Sequence, residues 1–102
     1  MDKKVKWMPQ TYEDLESISE FISRDSEFYA SSFIERIIDA GESLANFYNR
    51  GRIVPEKNDK NIREIFVNEY RVIYEITDFE INILTVLHGR RNLKTLLKKG
   101  RI

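Results

Sequence analysis

The chain has 102 residues, 41% of them hydrophobic, enough for one domain spanning 1–102 with one modest core. It has no cysteine and a single histidine, which excludes disulfides and thiolate metal sites and argues against a zinc site. No apolar run approaches the roughly 18 residues of a membrane span, and MDKKVKWMPQ at the N-terminus has no signal-like stretch, so the expectation is a cytoplasmic protein with no membrane contact, metal or cofactor.

Net charge is zero but unevenly placed. Residues 1–50 carry six Lys/Arg against ten Asp/Glu, and residues 51–102 carry eleven against seven. The last thirteen, RRNLKTLLKKGRI, hold six basic residues and no acid. Such an end can meet nucleic acid or an acidic protein, or be a solvated tail.

In chain order, Val5 and Trp7 alternate with Lys4 and Lys6, a short half-buried strand that Pro9 ends. Thr11 with Asp14 three residues on has the form of a capping box. Leu15, Ile18 and Ile22 follow at helical spacing, which predicts a helix over 12–23. Ala30, Phe33, Ile37, Ala40, Leu44 and Phe47 then step by three and four, with Ile34 and Ile38 widening the stripe, so a second helix is predicted over 27–48. The short break between them makes an antiparallel helical hairpin. Residues 50–61 read as a polar loop.

The period then changes to two. NIREIFV, YRVIYEIT and EINILTVLH, separated by Asn68-Glu69 and Asp78-Phe79, predict a three-stranded antiparallel meander. The expected fold is therefore α+β: a small antiparallel sheet, strand-helix-helix-strand-strand-strand, with the helical hairpin on one face. Tyr70, Val72, Tyr74 and Ile76 should look at the helices. Two-residue turns would pair Val67 with Tyr70 and Thr77 with Glu80. That register puts Arg71, Ile73, Phe66, Leu84, Val86 and His88 on the other, open face, with His88 diagonal to Arg71. So much apolar surface implies a cover: a partner chain, a dimer mate or the C-terminal segment.

One charged set could do chemistry. RNA cleavage by its own 2′-hydroxyl needs a base, an acid and cations on the phosphate. Glu56 could be the base, His88 the acid, and Arg71 with Arg91 the phosphate clamp. Alternatively His88 and Glu56 are structural or solvated, and the basic edge binds protein.

The pieces YEDLESISEFISRDS, GRIVPEKND, NIREI, YRVIYEITD and ILTVLHGRR, in this order over nearly the whole chain, resemble the RelE/ParE superfamily of bacterial toxins, nearest the ParE branch. The resemblance implies the toxin of a type II toxin–antitoxin pair, neutralised by a cognate antitoxin whose extended tail wraps it; the cover expected on the open face makes the assembly a homodimer or a toxin–antitoxin hetero-oligomer. ParE-like members poison DNA gyrase without being nucleases. RelE-like members cut mRNA in the ribosome, and there Arg71 and Arg91 match two phosphate-binding arginines. The two lysines of that branch fall at Ile62 and Glu64, and its C-terminal tyrosine near Leu97, so all three are missing. Glu56 and His88 sit close to the glutamate and histidine that other nucleases of the superfamily use. A ParE-like gyrase binder is the first expectation, with a ribosome-dependent endoribonuclease or a non-toxic antitoxin-binding relative as alternatives. The partner surface is expected at Phe66, Arg71, Ile73, Leu84, Val86, Arg90, Arg91, Lys94 and Lys98.

Overall fold

The computed structural model describes residues 2–90; Arg91, Lys94 and Lys98 lie outside the described residues. Strand β1 (Lys4–Trp7) leads into helix α1 (Pro9–Ser23) and helix α2 (Glu27–Glu42). A single 3-10 turn (Ser43–Ala45) follows, then β2 (Arg52–Ile53), β3 (Ile62–Val67), β4 (Tyr70–Ile76) and β5 (Glu80–His88). These strands form one sheet in the order β1-β5-β4-β3-β2. The meander β3-β4-β5 is antiparallel, as expected, but β1 lies parallel to β5, so the sheet is mixed. The helical hairpin carries the chain over one face from β1 to β2 at the far edge, and the three antiparallel reversals from β2 to β5 bring the last strand back beside β1 in the same direction.

The helix boundaries differ from the spacing for local reasons. Pro9 both ends β1 and opens α1, occupying the first turn where its missing N–H costs nothing. Thr11 is therefore inside the helix, fully buried, with its hydroxyl bonded to the Met8 carbonyl, and no capping box forms. Helix α2 starts where expected, capped by Ser26, whose hydroxyl accepts from the Tyr29 N–H at 3.1 Å. It stops at Glu42. The tighter turn that follows still buries Leu44 completely but leaves Phe47, the last residue of the predicted stripe, 61% exposed. The segment read as a polar loop contains β2, which pairs Arg52 with Glu64 and Ile53 with Arg63, and a fully buried Val54.

Two apolar clusters result. The larger lies between hairpin and sheet: Ile18, Phe33, Ile37 and Leu44 pack on Ile65, Val67, Val72, Tyr74, Ile81, Ile83 and Val86. The smaller is on the opposite face, where Val54, Ile62, Ile73 and Leu87 pack together with Leu84. The turn predictions hold: Val67 faces Tyr70, and Thr77 bonds Glu80. Asn68 takes the left-handed conformation this tight turn needs (φ 53°), which asparagine tolerates.

Candidate functional site

Register decides which charged groups can meet. Phe66 lies opposite Arg71, as counted from the turn. On the other side of β4, however, Arg71 faces Leu87, not Val86. The pairing shifts between Ile73 and Tyr74: Ile73 faces Thr85, whereas Tyr74 faces Ile83. Leu84 is thus an extra residue in β5, a β-bulge, and every side chain beyond it changes face. Val86 consequently points at the helices and is 2% exposed. His88 sits opposite Tyr70, on the helix side, and not diagonal to Arg71 on the open face.

The nuclease set is therefore split by the sheet. On the open face Arg71 is 4% exposed, and each of its three side-chain nitrogens donates to a carboxylate. Its Nη1 and Nη2 donate to the two Glu56 oxygens at 3.0 and 2.9 Å, a bidentate pair, and its Nε donates to Glu64. Glu64, 1% exposed, takes a second ion pair at 2.6 Å from Arg52, whose guanidinium also lies over the Phe66 ring. Burial pulls the Arg71 pKa down, but the hydrogen bonds and charges of Glu56 and Glu64 outweigh it and hold the pKa above its ordinary value. The knot contains two cations and two anions, so it presents no net positive charge.

On the helix face His88 bonds Glu69 through Nε2 at 3.2 Å and meets the Tyr70 ring edge-on at 5.3 Å. Its Nδ1 accepts the Arg90 N–H. Burial, then the neighbouring Glu69 charge, raises the Tyr70 phenol above its usual pKa.

The expected partner residues divide the same way. Phe66 is half exposed, Leu84 is half-buried and Arg90 is exposed; Ile73 is completely buried and Val86 nearly so, and these two offer no surface to a partner in this state. The open face is not bare, because Val54 and Glu56, from the segment taken for a loop, join it. Sequence reasoning missed Glu64 as the partner of Arg71, though the signal was present. Glu64 is two residues from Phe66 on β3, hence the diagonal neighbour of Arg71. It also missed Asp14, whose carboxylate accepts from the Thr85 hydroxyl and from the Val86 N–H at 3.1 Å, just after the bulge. Among the described residues no cluster of His, Asp and Glu has metal-site geometry.

A helical hairpin on a five-stranded sheet whose last strand pairs parallel with its first is the architecture of the small α+β toxins of the RelE/ParE class. The solved structure "Chromosomal ParDE TA system from P. aeruginosa" superposes with a TM-score of 0.71 at 18% identity, over 84% of this chain and 95% of that one. The RelBE2 toxin–antitoxin complex of Mycobacterium tuberculosis gives a TM-score of 0.62 at 17% identity, over 86% of this chain and 99% of that one. At such identities the likeness is one of fold. No curated protein matches the chain. The family model described as "ParE toxin of type II toxin-antitoxin system, parDE" matches residues 5–93, and the chain belongs to that family.

Proposed function

We propose that this chain acts as a binding toxin, with DNA gyrase as its target and a cognate antitoxin as its inhibitor. The observation that carries this reading over the nuclease alternative is the state of Arg71. A phosphate-binding arginine must have donors to offer, and here Glu56 and Glu64 take Nη1, Nη2 and Nε. Placing a phosphodiester anion beside two carboxylates is unfavourable, and Glu64 stands where the RelE branch carries a lysine, a reversal of charge. The acid candidate His88 is across the sheet from the base candidate Glu56, too dispersed for concerted proton transfer. The printed names of both similar structures describe toxin–antitoxin assemblies, which supports an antitoxin partner for this chain. The target places its action in the cytoplasm, and no helix among the described residues is long and apolar enough to cross a membrane.

The test is direct. Purified chain added to a gyrase supercoiling reaction should inhibit it, and the His88→Ala variant should inhibit equally. An untouched gyrase reaction together with cleavage of ribosome-bound mRNA would overturn the proposal in favour of the nuclease. Inactivity in both reactions would overturn it in favour of a non-toxic relative.

A further inference from the structure

Charge is segregated in this molecule. The helical hairpin, residues 9–42, carries nine Asp/Glu and two Arg. The segment that forms β2 and leads into β3, residues 50–63, carries five Lys/Arg and two acids. One of those acids, Glu56, is turned inward to its bidentate pair with Arg71. The cations are turned outward: Arg50, Arg52, Lys57 and Lys60 are exposed and Arg63 is half-buried. β2 is the last strand of the sheet, so its outer edge has no neighbouring strand. Val54 donates its N–H to the Ile62 carbonyl, so by strand alternation the Ile53 N–H points the other way, off the sheet.

Two of these arginines are held in place without being neutralised. Arg63 donates from Nε to the Lys60 carbonyl at 2.9 Å and from Nη1 to the Gly51 carbonyl at 3.0 Å. Arg50 donates from Nη2 to the Ala40 carbonyl at 3.4 Å. A carbonyl fixes the orientation of a guanidinium but leaves its charge. Among the described residues no carboxylate forms an ion pair with Arg50, Lys57, Lys60 or Arg63. Both arginine charges act on one point, favouring the ionised form of the Tyr74 hydroxyl, to which the Gly51 N–H is bonded. Arg71 is the reverse case, since Glu56 and Glu64 take its donors. A pre-positioned guanidinium that keeps its charge, beside an outward backbone N–H, suits a phosphate oxygen. Four such cations along one edge suit a row of phosphates rather than a single one.

We propose that this edge, through Arg50, Lys57, Lys60 and Arg63, binds the phosphate backbone of duplex DNA. The inference rests on the gyrase reading above for the choice of a duplex, the form on which that enzyme acts, and adds a direct contact between the toxin and the DNA. The acids of the hairpin are repelled by the same phosphates, so the charge pattern also sets which side of the chain approaches. Contacts to phosphate carry no base information, so binding is independent of sequence.

Fluorescence anisotropy of two labelled duplexes of unrelated sequence, titrated with the full chain as salt is raised, tests it. Each phosphate contact contributes about 0.9 to the slope of log affinity against log salt. Lys57→Gln with Lys60→Gln, and Arg50→Gln with Arg63→Gln, should each reduce that slope by about 2. Both should weaken binding to the two duplexes alike, by about tenfold at low salt. Lys4→Gln with Lys6→Gln removes the same charge from exposed positions of β1, the opposite edge of the sheet, and should change the slope by less than about 0.5. A thermal melt checks that each variant folds; Arg63 also pins the loop, so the exposed lysine pair decides if the arginine variant does not fold. An unchanged slope in the lysine pair, an equal fall in the β1 pair, or tighter binding of single-stranded RNA or of polyglutamate than of the duplex would overturn the proposal. Gyrase supercoiling is followed in parallel. Inhibition by a chain that fails the DNA test refutes the edge alone; DNA binding that passes it, with gyrase untouched, refutes the gyrase reading and leaves the edge standing.

Discussion

The two faces of the sheet are built by different physics. Under the hairpin, β3, β4 and β5 present Ile65, Val67, Val72, Tyr74, Ile81, Ile83 and Val86 to two amphipathic helices, and non-directional burial does the work. On the other face a small apolar cluster adjoins a chain of charges, Arg52–Glu64–Arg71–Glu56, that ties segment 52–56 down onto β3 and β4. The first face tolerates changes in proportion to volume. The second is conditional: its buried charges, Arg71 and Glu64, are acceptable only while their partners are present. A side chain in the position of a functional arginine can thus be a structural one, and only the accounting of its donors tells the two apart.

The comparison can be broken by substitution. Arg71→Ala leaves the buried Glu64 without its inner partner and should cost about 3–5 kcal/mol in a denaturant melt. The double variant Arg71→Met with Glu64→Leu should recover most of that loss, because apolar replacements of similar volume avoid the buried charge. If the double variant is as unstable as the single one, the knot is not what makes this face conditional. On the helix face Ile37, fully buried, should behave conventionally: Ile37→Val is expected to cost about 1 kcal/mol.

Glu56→Gln should be milder than Arg71→Ala, roughly 1.5 kcal/mol, since Glu64 still holds Arg71. An effect as large as that of Arg71→Ala would mean that Glu56, not Glu64, anchors the guanidinium. His88→Ala should be smaller again, about 1 kcal/mol or less for its contact with Tyr70. Neither variant should lose growth arrest.

Tyr74 supplies a pH signature. Its buried hydroxyl donates to the Tyr48 carbonyl at 2.7 Å and accepts the Gly51 N–H at 3.0 Å. Burial raises its pKa, and the bond to Gly51 and the charges of Arg63 and Arg50 only partly oppose the rise. A phenol whose folded pKa lies above the unfolded value of 10.0 stabilises the fold fully below pH 10. That contribution is lost as pH rises through the folded value. An ultraviolet titration should therefore show Tyr74 ionising together with unfolding, and Tyr74→Phe should flatten the alkaline fall in stability.

Much of the fold was legible because periodicity is local. The 3.6-residue stripe of α2 and the two-residue alternation of β3 to β5 are written in consecutive residues, and the facing of β4 follows from its own alternation. The turn at Asn68-Glu69 gave one register correctly. The bulge at Leu84 left no mark, since ILTVL reads as an uninterrupted apolar strand, and it alone moved Val86 and His88 to the other face. The parallel pairing of β1 and the short β2 depend on partners far away in sequence. The candidate site suffered most: Arg71, Glu56 and His88 were all noticed, yet whether an arginine is free or bound depends on Glu64, which reads as an ordinary strand residue until it is placed beside its neighbour.

The most direct test of the account follows DNA and protein synthesis in cells during the first minutes after the chain is induced without antitoxin. Labelled thymidine incorporation should fall before labelled methionine incorporation, with the same order for Glu56→Gln and His88→Ala. Methionine incorporation falling first, and persisting unless Glu56 or His88 is replaced, would contradict the binding mechanism and return these residues to a catalytic role.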